Sequence, residues 1–444
     1  MDIRYRIRGG APLCGDIQIS GSKNAALPLI AASVLAAGET VLTNVPRLRD
    51  ITAMLRILEF LGAETSFVAD TVRIRTHKLQ NRKIPTELVG KLRGSIVLLG
   101  PLLSRFGEAE MSYPGGCVLG KRPVYAHILA LEQMGAKDLS TDEVLHLKGD
   151  LQAGRVILPE FSVTATENAV MAAALIPGET RIDLAAAEPH VQDVERLVTA
   201  MGARVEGVGT HAVIVHGVKT LQSQTHAVTS DYLETGAFII AALITKGKIR
   251  LHGADPEHLV SFLSTLRRMG AILKIEGDIL FVDGELSLLK SLEVRTNIFP
   301  GFPTDLQAPM GILMSQAKGV SRIFERLFEG RMAYLYELEK MGAHIEILNA
   351  HEALIIGPAE LRGRMVSSND IRAGAAMVLA GLCAHGETVI TDVRYIERGY
   401  DRFDEKLTSL GAAIEKIVVD ERREEDDDAA EAFSKKTSSL TTTR

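Results

Sequence analysis

The run ILEFLGAETSFV, residues 57–68, passes from apolar residues at helical spacing, through a Gly-Ala pair, into an alternation that reads as a strand. The same passage recurs at Gly135-Ala136, Gly202-Ala203, Gly270-Ala271, Gly342-Ala343 and Gly411-Ala412, each pair preceded by Leu or Met. The six pairs lie about seventy residues apart, and a fixed period is the mark of a repeat architecture. A second series, Gly38, Gly107, Gly178, Gly247, Gly319 and Gly386, runs in phase with the first. Each of these is expected to end a helix in a backbone conformation of positive φ. The second unit is longer than the rest, and its extra length carries Pro114-Gly115-Gly116-Cys117.

The first unit shows the order within a repeat. Lys23–Ala37 has helical spacing and stops before Gly38, Thr40–Leu42 reads as a short strand, and Asp50 is placed to cap a helix over Ile51–Leu61. Alternating strands and helices make the chain α/β. A single unit has too little apolar face to stand alone, so neighbours must pack together. Units of this length exceed the ~20–50 residues of a solenoid repeat, and six of them suit two domains of three. The crossing is expected where the chain turns polar, at Thr225–Asp231. The strand Ile3–Ile7 and the helix Tyr400–Leu410 are assigned to one domain. The expected division is 1–21 with 230–420 as one domain, 22–229 as the other, and 421–444 as a disordered charged tail.

At 444 residues, with 46% apolar and 24% charged residues, the composition is that of a globular protein of more than one domain. A net charge of −6 with scattered basic residues leaves no footprint for nucleic acid or an anionic membrane. No apolar run is long enough to span a bilayer, and the N-terminus lacks a signal-peptide core. Three cysteines at unrelated spacings argue against both a disulfide framework and a metal cluster, and the reading is cytoplasmic.

Four stretches could carry chemistry. In Pro114-Gly115-Gly116-Cys117, followed by Gly120-Lys121-Arg122-Pro123, glycines and neighbouring cations could lower a thiol pKa. Gly21-Ser22-Lys23-Asn24 opens a helix and is either an anion site or an ordinary polar cap. Gly301-Phe302-Pro303-Thr304-Asp305 puts a carboxylate before a helix, where it serves as a cap or a general base. Arg93, Arg122, Arg331, Arg372 and Arg398 stand at unit boundaries, where arginine suits bidentate holding of phosphate or carboxylate. The histidines show no metal spacing and no nucleophile triad is visible.

Together these segments resemble the bacterial UDP-N-acetylglucosamine 1-carboxyvinyltransferases, the enolpyruvyl transferases whose product begins peptidoglycan synthesis. The resemblance covers residues 1 to about 420. It rests on GSKNAALP (21–28), PGGC (114–117) with RPV (122–124), LEQMGA (131–136), LETGAF (233–238), GFPTDLQAP (301–309), FEGRM (328–332), DIRA (370–373) and ERGYDR (397–402). It implies a two-domain inside-out α/β barrel, the enolpyruvyl transferase fold, with six βαβαββ repeats, three per domain and helices inside. It also implies transfer of the enolpyruvyl group of phosphoenolpyruvate to the 3′-hydroxyl of UDP-N-acetylglucosamine, with no cofactor and no metal.

By that resemblance Cys117 is the acid, open to alkylation by the epoxide fosfomycin, and Asp305 is the base or proton relay. Lys23, Arg122 and Arg398 hold phosphoenolpyruvate with help from Arg93, Arg331 and Arg372, while Asn24 and Asp370 orient the reacting groups. Arg49 corresponds to a basic residue of the family. The UDP-sugar is expected against Asn24, Arg93, Arg122, Pro123, Val124, Ser162, Val163, Asp305, Leu327 and Asp370.

The chain departs from the family pattern on the nucleotide side. Tyr125 stands for a base-reading Asp, Glu160 for a basic residue, Thr164 for a glycine, Tyr232 for an arginine and Gly330 for an asparagine. A different nucleotide sugar is therefore one alternative, and a catalytically silent regulatory paralogue another. PGGC at 114–117 argues against the sister family that makes 5-enolpyruvylshikimate 3-phosphate.

Overall fold

Each repeat resolves into the same local pieces. In the third, strand Arg155–Ile157 leads to helix Val163–Ala174, strand Gly178–Asp183, helix Pro189–Met201, and a hairpin of Arg204–Glu206 with Ala212–Gly217. The first two strands pair in parallel through the helical crossover, and the hairpin adds in antiparallel fashion. This computed structural model describes residues 2–90, 92–115, 124–368 and 370–419. Among them are five four-stranded sheets of this pattern and one of three strands, whose missing place is taken by Ile84 bridged in parallel to Met111.

The repeating Gly-Ala pair has a conformational cause. Gly62, Gly135, Gly202, Gly270, Gly342 and Gly411 all have φ between 101° and 122°, where a side chain is strained. The following alanine is buried every time. The second glycine series is mixed. Gly107, Gly178, Gly319 and Gly386 have positive φ, whereas Gly38 and Gly247 do not. At those two a Cβ would run into Ser223 Oγ and the Leu13 carbonyl, so close approach rather than backbone sign demands glycine.

The inner helices are largely buried all round, as in Val163–Ala174 and Tyr232–Ile244. The second helix of a unit is amphipathic, as in Arg49–Phe60, and the sheets alternate buried and exposed residues. The inner helices therefore fill the middle and the sheets face outward.

Buried apolar residues form two clusters. One joins Tyr5–Ile19 to Tyr232–Ala412, and the other runs from Ala25 to Val228. The chain passes between them twice, and the passages lie side by side: Ser22 N–H donates to the Thr229 carbonyl and Asp231 N–H to the Ser20 carbonyl, both at 2.8 Å. Strand Thr225–Ala227 then completes the sheet of Glu39–Thr43, while Cys14–Gln18 completes that of Lys248–His252. Strand Asp2–Arg8 lies between Glu387–Thr391 and Ala413–Val419. The last helix, Phe403–Ser409, packs in the same cluster.

Two local expectations are corrected. The first helix is α only over Lys23–Ala32 and tightens to a 3₁₀ turn at Ser33–Leu35. Asp50 does not cap: the helix starts at Arg49 after Leu48, and Asp50 is buried in its first turn, facing two cations. The expected tail lies outside the described residues.

Candidate active site

Six inner helices start at one place. Lys23, Arg93, Val163, Tyr232, Thr304 and Ile371 each open an inner helix or helical turn, one in each unit, and all six line a single cleft of about 690 Å³. The side chains of Ser22, Ser162, Asp231 and Asp370 accept from first-turn N–H groups. Helix N-termini carry partial positive charge, so their convergence favours anions before any side chain is counted.

One half of the cleft adds full charges. Lys23 Nζ is 3.7 Å from Asp50 Oδ2, and Arg398 Nε donates to Asp50 Oδ1 at 3.0 Å. Asp50 belongs to one apolar cluster's stretch of chain and Arg398 to the other's, so this contact ties the two together; Arg49 with Glu397 at 3.3 Å is a second such tie. Burial pulls the Lys23 pKa down, Asp50 opposes it, and Arg372 and Arg398 add to the fall.

Asp305 accepts from Arg331 Nη1 at 2.5 Å and from Arg372 Nε at 3.1 Å. Burial alone would raise its carboxyl, but the two guanidiniums outweigh that and hold it well below the usual carboxylate range. It makes no cap; its two oxygens face Arg331 and Arg372 instead. Arg331 lies over the Phe328 ring and Arg372 over Tyr400, which fixes both guanidinium planes. Gly330, with φ 79° and open space around it, sits where an asparagine would also be tolerated.

Glu325 anchors this half, and nothing in the sequence singled it out. Wholly buried, it accepts from Thr296 Oγ1 (3.0 Å), Thr304 Oγ1 (2.8 Å), Leu327 N (2.9 Å) and Phe328 N (3.2 Å). One carboxylate thereby fixes the turn bearing Asp305 to the loop bearing Leu327 and Arg331.

The other half is polar without matching cations. Tyr232 stacks on His190 (6.4 Å, 6°) and meets His258 edge-on (6.5 Å, 75°). Burial takes His190 down to about 4, and it raises Glu167 and Glu188, each next to the other. Glu160 also lines this end, while Tyr125 is 59% exposed and is not part of the lining.

Of the sequence-predicted residues, Lys23, Asn24, Arg93, Ser162, Val163, Asp305, Leu327, Arg331, Asp370, Arg372 and Arg398 all line this cleft. Val124 instead precedes helix Tyr125–Gln133 and packs on the second apolar cluster. Cys117, Arg122 and Pro123 lie outside the described residues. No described helix is long and apolar enough to cross a membrane.

Two three-unit bodies facing one cationic cleft define an enolpyruvyl transferase. The family model for EPSP synthase (3-phosphoshikimate 1-carboxyvinyltransferase) matches residues 7–407. Among solved structures, the enolpyruvyl transferase NikO from Streptomyces tendae superposes with a TM-score of 0.85 at 23% identity, covering 94% of this chain and 100% of that one. An EPSP synthase from Acinetobacter baumannii gives 0.71 at 21% identity, with the same coverage; these show the fold.

Sequence relatives are nearer. The UDP-N-acetylglucosamine 1-carboxyvinyltransferase of Magnetococcus marinus is 42% identical over 413 residues, 93% of this chain and 98% of the relative. That of Bradyrhizobium diazoefficiens is 40% identical over 423 residues, 94% and 98%. The chain belongs to the UDP-N-acetylglucosamine 1-carboxyvinyltransferase family.

Proposed function

We propose that this protein transfers the enolpyruvyl group of phosphoenolpyruvate to the 3′-hydroxyl of UDP-N-acetylglucosamine and releases phosphate, opening peptidoglycan synthesis in the cytoplasm. One observation carries the reading: Lys23, Arg93, Arg331, Arg372 and Arg398 converge with an ionised Asp305 where six helices begin. Phosphoenolpyruvate brings a phosphate and a carboxylate, and this is a site for two anions.

In the first step the hydroxyl oxygen bonds to C2 while a proton reaches the methylene carbon. Cys117 is assigned as that acid. Asp305 takes the hydroxyl proton. Held by two arginines it is a weak base, and an incoming carboxylate competing for Arg331 or Arg372 makes it stronger. In the second step the Cys117 thiolate takes a proton back from the new methyl group, the C–O bond to phosphate breaks, the enol ether forms, and the proton held by Asp305 leaves with the phosphate. Lys23 and Arg398 hold the phosphate; Asn24 and Asp370 orient the reacting groups. We further assign residues 1–21 with 230–420 to one domain and 22–229 to the other, so that the substrates meet both.

A second reading, transfer to a different nucleotide sugar, is favoured by Glu160 and by the His190–Tyr232 stack at the other end of the cleft. Phosphate release from phosphoenolpyruvate, measured with UDP-N-acetylglucosamine and with other UDP-sugars, decides between them. Release with the first supports the main reading, and release only with another overturns it. No release with any would leave a silent paralogue. Cys117→Ala is expected to abolish release, and unaffected turnover would remove the acid assignment.

A further inference from the structure

Separate stretches of the cleft wall are held by one side chain that is not itself in the lining. Glu325 follows strand Gly319–Phe324 and is wholly buried. Its backbone is fixed on both sides: the N–H donates to the His351 carbonyl at 2.7 Å, and the carbonyl accepts from His351 Nδ1 at 2.8 Å. Glu325 Oε1 takes the Thr296 hydroxyl and the N–H groups of Leu327 and Phe328, while Oε2 takes the Thr304 hydroxyl at 2.8 Å. Thr296 and Thr304 are the two ends of a turn whose Asn297, Pro300 and Pro303 line the cleft. The Thr296 hydroxyl in turn accepts from Arg326 N–H at 2.8 Å, which binds the turn to the next loop a second time.

Asp305 and Arg331 sit just beyond these anchors. Asp305 follows Thr304 directly. Arg331 closes the loop that Leu327 and Phe328 begin, with its guanidinium 4.7 Å from the Phe328 ring centre. The contact of Arg331 Nη1 with Asp305 Oδ1, 2.5 Å, thus spans two segments that are both pinned to Glu325. Displacing a reacting group by about 1 Å can cost about a hundredfold in rate, even when the cause is remote. A glutamine at 325 would strike this frame at one point. The N–H groups of Leu327 and Phe328 cannot reverse, so the amide oxygen stays with them and its nitrogen faces Thr304. The charge-assisted bond to the turn bearing Asp305 is then replaced by a weaker neutral one.

We infer that Glu325 is a positioning residue for the transfer reaction, acting through Asp305 by fixing its turn against the loop that carries Arg331. This rests on the activity proposed above, and the test separates the two. Phosphate release is measured for the parent, Glu325→Gln, Asp305→Asn and the double variant. Glu325→Gln is expected to lower kcat about tenfold, the size of a weakened hydrogen bond to a charged group. The KM for phosphoenolpyruvate should stay within about threefold, because Lys23 and Arg398 are held by Asp50 and not by Glu325. In the Asp305→Asn background the same change should cost less than about twofold, since the side chain it positions has already lost its function.

An unchanged kcat in Glu325→Gln, or an equal loss with and without Asp305, overturns the inference and leaves the activity standing. If Glu325→Gln fails to fold, Thr304→Val cuts the single side-chain contact between Glu325 and the turn bearing Asp305 and is read by the same cycle. If the parent releases no phosphate with any nucleotide sugar, the proposed activity falls, and crystal structures of the parent and of Glu325→Gln decide the rest. A longer Asp305–Arg331 contact in the variant then supports the positioning role, and an unchanged contact removes it.

Discussion

The two halves of the cleft handle charge in opposite ways. Around Asp50 and Asp305, carboxylates face lysine and arginine at hydrogen-bonding or ion-pair distance. Around Glu167, Glu188 and His190, buried ionisable groups lack such partners, and burial favours their neutral forms. The contrast teaches that burial alone does not set the chemistry of a carboxyl. Its neighbours decide whether it is a base held in reserve or an uncharged wall.

The largest expected effect falls on the charged half. Asp305→Asn should cut kcat by about a thousandfold, the scale of a lost general base, with the melting temperature little changed. A large fall in melting temperature with turnover retained would instead make Asp305 structural.

Asp50→Asn comes next. It leaves Lys23 and Arg398 facing each other without their shared anion, and breaking such a buried pair costs about 3–5 kcal/mol. A lower melting temperature and weaker phosphoenolpyruvate binding are expected. Asp50 raises the Lys23 pKa, so its loss should also move the alkaline limb of the pH–rate profile to lower pH. An unmoved limb would remove Lys23 from the anion site.

At the other end of the cleft, burial raises the Glu188 carboxyl above its ordinary range, so Glu188→Gln should be most nearly silent at low pH. The variant and parent should diverge as pH rises and only the parent ionises, read as the KM for the nucleotide sugar. Divergence at low pH would mean that Glu188 works as an anion.

The smallest effect lies away from the cleft. Burial raises Glu195 to about 8, so the folded state binds its proton more tightly than the unfolded chain does. Its stabilising contribution is full below the ordinary carboxylate range and is lost as pH rises through about 8. Glu195→Gln should flatten the fall in melting temperature between pH 5 and pH 9 (about two units on either side of neutrality).

Much of the architecture was legible because it depends on local necessity. A glycine that must take positive φ after a helix leaves the same mark six times, and the polar stretch at Thr225–Asp231 marks where the chain changes partners. Asp50 was misread for an equally local reason: an aspartate ahead of an apolar helix is the signature of a cap, and only the distant Arg398 distinguishes a buried ion-pair partner from one. Asp305 was ambiguous on the same grounds, whereas Asp231 and Asp370 do cap. Glu325 left no local signal, because its partners Thr296 and Thr304 come from separate stretches that only folding brings together.

The paired passages at Ser20–Ser22 and Thr229–Asp231 carry a consequence for descent and for engineering. Neighbouring strands lie about 4.8 Å apart, so on the proposed division the segment 22–229 joins its host at a single point. A short turn joining Gly21 to Ser230 would excise it without stretching the host. Neither piece would then hold all of the charged groups of the proposed site. The insert would keep Lys23, Asp50 and Arg93, and the host would keep Asp305, Arg331, Arg372 and Arg398.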